Sequence, residues 1–134
     1  MKTLFVYGNK ANLMVATRSP GYHSHPHRHD CEQLNYLADG ELWIFIENEG
    51  YHLRSGDFLR IPSNAVHWAW NCGTTPSVLI EVHAPVLDPS ARRGTVGLFA
   101  NGEVPSVERS PATERVDFDW ETVEHRVLHQ EGIA

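Results

Sequence analysis

The stretch Gly21-Tyr-His-Ser-His-Pro-His27-Arg-His29-Asp-Cys-Glu-Gln33, closed by Gly40, decides how the chain is read. A second block answers it further along: Gly56-Asp-Phe-Leu-Arg-Ile-Pro62-Ser-Asn64-Ala-Val-His67, then Asn71. Successive side chains of a strand point to opposite faces. A strand through residues 26–38 therefore projects His27, His29 and Gln33 from one side. A histidine-rich run alone binds metal adventitiously. A separate strand that delivers His67 makes an enclosed four-ligand site of His27, His29, Gln33 and His67 the expectation.

The two blocks resemble the paired motifs of the cupins, small double-stranded β-helix proteins. The first motif of that family is G-x5-H-x-H-x3(or 4)-E-x6-G, and Gly21, His27, His29 and Gly40 fall in register. The second is G-x5-P-x-G-x2-H-x3-N, met by Gly56, Pro62, His67 and Asn71. The resemblance covers residues 20 to 84 and implies an all-β jelly-roll barrel. Residues 1–84 would form the barrel, N-terminal strands included, and 85–134 a C-terminal extension packed on it within the same domain. Two positions depart from the pattern. Asn64 replaces the turn glycine, and asparagine is the side chain that best tolerates left-handed backbone. Gln33 stands where the motif has Glu, offering a neutral oxygen in place of a carboxylate. Glu32 has the wrong parity for the face of His27 and His29. A register that starts the pair at His25 would bring Glu32 into play, but it fails at both glycines.

At 134 residues the chain is one domain with enough length to bury a core. Its net charge is −6 with no basic cluster, which argues against nucleic acid as a partner. No apolar run approaches a membrane span, and the N-terminus lacks the pattern of a secretion signal. Cys31 and Cys72 are the only cysteines, so reduced thiols in a cytoplasm are the expectation. Cys31 reads as a small buried hydrophobe beside the site.

Short apolar runs broken by turn residues recur from Leu4 to Pro85, the pattern of a sandwich or barrel. Strands are expected at 3–7, 12–17, 26–38, 41–47, 51–54, 57–61, 66–70 and 77–83. Ala38-Asp39-Gly40 and Asn48-Glu49-Gly50 read as hairpin turns. Residues 85–115, with four prolines, read as a wandering connection. Val116 to Trp120 alternates like a short strand, and Val123, Val127 and Leu128 fit a helical stripe. Trp68, Trp70, Tyr36 and Leu34 should all face away from the metal. Such an apolar patch calls either for a homodimer or for cover by the C-terminal tail.

Imidazole ligands suit zinc, iron, nickel, copper or manganese, so the ligands leave the divalent metal unnamed. An open coordination position would admit a small-molecule substrate. With three imidazoles and an amide the ion keeps its full charge and polarises a carbonyl or enolate oxygen more strongly. Glu81 and His83 share a face of the last barrel strand. Turned inward they would move protons beside the metal, but the simpler reading buries Ile80 and Val82 and leaves them outside. His23 and His25 precede the ligand strand and read as solvated loop histidines, with a place at the cavity mouth as the alternative, and Arg92 and Arg93 form a charged doublet. Cupins with comparable sites include small polyketide cyclases and sugar-acid ring-opening or isomerising enzymes. The resemblance thus implies a metal-dependent cyclase, lyase or isomerase. A metal-dependent dioxygenase of diketones or phenolic compounds and a non-catalytic small-molecule-binding barrel are the alternatives.

Overall fold

The computed structural model describes residues 2–86, 96–97 and 113–132. In chain order the strands are β1 (Lys2–Tyr7), β2 (Asn12–Arg18), β3 (His27–Arg28), β4 (Glu32–Asp39), β5 (Glu41–Ile46), β6 (Glu49–Arg54), β7 (Phe58–Ile61), β8 (His67–Trp70), β9 (Ser77–Ala84), β10 (Val96–Gly97) and β11 (Glu114–Arg115), followed by the helix α1 (Trp120–Gln130). They form a six-stranded sheet, β10-β1-β2-β9-β4-β7, and a five-stranded sheet, β11-β3-β8-β5-β6. All pairings are antiparallel except β1 with β10. The architecture is a β-sandwich with one helix at its C-terminal end. No helix among the described residues is long and apolar enough to cross a membrane.

The alternation that marks a half-buried strand is plainest in β9, where Ser77, Leu79, Glu81 and His83 are buried and Val78, Ile80 and Val82 are not. The strand thus turns its polar side chains inward, the reverse of the simpler sequence reading. Its inner row is apolar at the Leu79 end, where Leu37, Leu42, Ile44, Leu53 and Ile61 close the space between the sheets. At the other end it is polar.

One expected strand is two. Residues 26–38 break after Arg28: β3 belongs to the five-stranded sheet and β4 to the six-stranded one. The corner between them is pinned by the second motif. The Asn64 amide N–H donates to the His29 carbonyl at 2.9 Å, and Ser63 and Asn64 side chains donate to Asp30 Oδ1 at 3.0 and 3.2 Å. Asn64 takes the left-handed backbone expected of it, with φ 64°. His27 and Gln33 therefore lie on facing sheets and owe nothing to a shared strand parity. At Gly40 a side chain is impossible: its φ is 80°, and a Cβ would stand 2.7 Å from the Pro76 carbonyl oxygen. The next hairpin turns at Glu47–Asn48, one residue earlier than expected, with Glu47 at φ 51°.

The run Leu42–Phe45 is buried throughout because β5 is covered on both sides. Its inner face meets the core between the sheets. On its outer face Trp43, Phe45 and Trp68 pack against Val123, Val127 and Leu128 of α1. Asp119 caps this helix, accepting from the Thr122 backbone and hydroxyl. Gly50 lets the helix approach, since a Cβ there would lie 2.6 Å from Val127 Cγ1. Residues 116–119 form no strand; pairing stops at Arg115, after which Val116 N bonds the Pro26 carbonyl. The single apolar face expected from Trp68, Trp70, Tyr36 and Leu34 is two faces. The tryptophans lie on the helix side, whereas Leu34, Tyr36, Leu13 and Phe58 line the outside of the opposite sheet.

Candidate metal centre

β3 and β8 pair at a single register point, His27 opposite His67. This puts their rings 4.3 Å apart. His29 follows β3 at the corner, 4.9 Å from the His67 ring and 6.1 Å from that of His27. One ligand nitrogen from each lies within 4.8 Å of the others.

Each imidazole is held from behind. His27 Nδ1 donates to the His25 carbonyl at 2.7 Å and His67 Nδ1 to that of Ala65 at 2.9 Å. His29 Nδ1 faces the Cys31 carbonyl at 3.4 Å and the Cys31 sulfur at 2.9 Å. A neutral imidazole that donates through Nδ1 presents Nε2 as a lone pair. Such outer-shell anchors fix the orientation of metal-binding histidines. His67 Nε2 is buried with no hydrogen-bond partner. Burial is the main reason that the His67 pKa is lowered to about 3, with His27 adding to it. Burial likewise lowers that of His29 to about 4, helped by His83 and His27. Both rings are neutral near pH 7 and ready to coordinate.

The facing wall comes from the inner face of the six-stranded sheet. Asn12, His83 and Gln33 form one cross-strand row, and Met14, Glu81 and Asn35 the next. Gln33 Nε2 donates to Asn35 Oδ1 at 2.9 Å and to Glu81 Oε1 at 2.5 Å. Both N–H groups of the amide are so engaged, and its oxygen remains as the acceptor. Asn12 Nδ2 lies 2.9 Å from His83 Nδ1. The amide donates there, which places the His83 proton on Nε2, 3.5 Å from Glu81 Oε1. Glu32 points outward and pairs with Arg60.

Between the walls lies a cavity of about 410 Å³ that reaches His27, His29, Gln33, Glu81 and His83. Glu81 and His83 thus stand beside the histidine cluster. His23 lines the cavity and bonds Glu124 of α1 at 2.6 Å. Cys31 is buried and Cys72 exposed, and neither is in a disulfide. Arg92 and Arg93 lie outside the described residues. Sequence reasoning passed over Asn12, Asn35 and Arg18, whose inward parity on β2 and β4 was the available signal. It also passed over Arg115, for which the sequence offers no signal.

The donor set suits a divalent transition metal. Three anchored imidazoles converge, one with a buried nitrogen that no described residue satisfies, and an amide oxygen lies on the opposite wall.

A family model described as Cupin domain matches residues 14–83. The chain belongs to the cupin family. A comparison with curated proteins gives no match. Among solved structures it is similar to a Klebsiella pneumoniae protein with a double-stranded β-helix domain, at 28% identity over 58% of this chain and 70% of that one, with a TM-score of 0.55. It also shares its fold with KdgF from a Halomonas species: 22% identity, 63% and 76% coverage, TM-score 0.58. A sugar phosphate isomerase from Silicibacter pomeroyi, of whose chain this cupin spans half, shows 18% identity over 56% of this chain and a TM-score of 0.52.

Proposed function

We propose that this cupin is a metal-dependent enzyme acting on a carbonyl or enol small molecule. In this reading His27, His29 and His67 hold one divalent transition metal through Nε2, Gln33 adds its amide oxygen, and Glu81 moves a proton. The observation that carries it is the unpartnered, buried Nε2 of His67 at the point where the other two anchored imidazoles converge. When bound, the metal supplies a Lewis acid for a substrate oxygen.

The chain's own residues account for the rest. Glu81 sits inside the cavity, with one oxygen engaged by Gln33 and His83. A buried carboxylate is costly unless it is paired or used. The Asn12–His83 bond orients the His83 ring with Nε2 toward Glu81, so that His83 steadies the carboxylate as it gives and takes a proton. Removal of a proton next to a carbonyl and its return elsewhere is the core of an isomerisation, a cyclisation or an elimination. This arrangement supplies the proton carrier that class of reaction requires, for which a non-catalytic binder would have no use. The isomerase among the structural neighbours is consistent with it.

The experiment is solvent-deuterium exchange. Zinc-loaded protein in deuterium oxide should exchange the carbon-bound hydrogens next to the carbonyl of a small 2-oxo acid, followed by proton NMR. Glu81→Gln should keep its metal and lose about 10²- to 10⁴-fold in exchange rate. Unchanged exchange in that variant removes Glu81 from the chemistry. Oxygen uptake by iron-loaded protein without such exchange would move the assignment to a dioxygenase.

A further inference from the structure

We infer that the cavity selects small molecules carrying an oxyanion, a carboxylate or a phosphate, which Arg18 and Arg115 hold while the rest of the molecule reaches the histidine centre. The inference rests on the metal-site reading above and adds to it the substrate class.

Both arginines line the cavity. Arg18 ends β2 on its inner face, in register with Ser77. It is half-buried, its guanidinium lies 4.6 Å above the Tyr22 ring, and Nη1 donates to Thr3 Oγ1 at 3.3 Å. Stacking and one hydrogen bond hold the planar group in place and leave most of its five N–H donors for a ligand. Arg115 is in register with His27, so β11 brings a guanidinium beside the histidines. Its neighbour Glu114 points the other way and pairs with Arg28.

Neither Arg18 nor Arg115 has a carboxylate partner among the described residues. Two other arginines of the barrel do have such a partner, Arg28 in Glu114 and Arg60 in Glu32, whereas Arg54 on β6 does not among the described residues. In a chain of net charge −6, two guanidinium groups without carboxylates are gathered at one cavity. Glu81 lines the same cavity, but it is engaged by Gln33 and His83. A guanidinium fork matches the geometry of carboxylate and phosphate oxygens, and charge-assisted hydrogen bonds of this kind are the strong ones. The cavity volume of about 410 Å³ admits a molecule of sugar or oxo-acid size.

The test is calorimetric titration of zinc-loaded protein with two anions and their neutral counterparts. These are 2-oxoglutarate against its dimethyl ester, and glucose 6-phosphate against glucose. At least one anion should bind tenfold or more tighter than its neutral partner. Arg18→Gln and Arg115→Gln should each reduce that affinity about tenfold to a hundredfold while leaving the neutral compound's affinity and the zinc content unchanged. Whichever anion shows the preference identifies the source of the oxyanion. Equal binding of charged and neutral probes, no saturable binding of either anion at millimolar concentration, or unaltered affinity in both arginine variants would overturn the inference. Arg115 is exposed, so its replacement reports on binding even if Arg18→Gln unfolds. Failure of the metal reading is seen separately, as protein that takes up no zinc before any ligand is added.

Discussion

His67 Nε2 sits where a polar nitrogen without a partner costs about 1–3 kcal/mol, and no described residue supplies one. The same burial, by disfavouring the charged ring, shapes the metal-free protein's response to acid. His29 and His67 bind protons more weakly folded, at about 4 and about 3, than at the ordinary 6.5. Between those values the unfolded chain holds more protons, so stability falls as pH drops from about 6.5 toward 4 and is insensitive to these groups above that window. Thermal unfolding of metal-free protein should give a lower midpoint at pH 5 than at pH 7.5, with a smaller difference in His67→Ala. Gln33→Glu tests the opposite wall. It removes the N–H donor to Glu81 and places a second carboxylate against it, so the variant should lose about 1–3 kcal/mol at pH 7.5. Like charges raise the pair's proton affinity in the folded state. The deficit should therefore shrink toward pH 5, and a deficit constant with pH would contradict this account. Metal should be retained, with slower Lewis-acid chemistry. The histidine spacing was legible because the motif fixes it. The inward turn of Glu81 and His83 was not, because an interior that is half polar inverts the rule by which apolar faces are assigned to the core.

Strands and turns were largely readable from alternation and from glycine and asparagine positions, Gly40 and Asn64 among them. The break after Arg28 was hidden for a physical reason: β3 is only two residues long, and its corner is held by hydrogen bonds from Ser63 and Asn64, far away in sequence. The helical stripe of Val123, Val127 and Leu128 was visible, whereas its docking surface was not, since β5, β8 and Gly50 build it together. Leu128→Ala should cost about 2–5 kcal/mol in chemical denaturation. Gly50→Ala should also destabilise, because its Cβ meets both Val127 and Phe45. If both variants match the wild type, α1 contributes no packing to the sandwich.

As a whole the molecule has a covered side and a bare one. The helix lies over the five-stranded sheet, while the outside of the six-stranded sheet keeps Leu13, Leu34 and Phe58 exposed, Phe58 at 78%. We propose this second face, with Leu13, Leu34 and Phe58 exposed, as the seat of the expected homodimer. Light scattering should report twice the chain mass, and Phe58→Glu should return it to one. A clean monomer in the parent protein would remove the dimer from the account. The central claim is that the facing sheets enclose a metal, and elemental analysis tests it most directly. Protein purified without chelator should carry about one equivalent of a divalent transition metal per chain. His67→Ala, with an unchanged circular dichroism spectrum, should carry almost none. Equal metal in the two proteins, or none in the parent even after zinc is supplied, would contradict it.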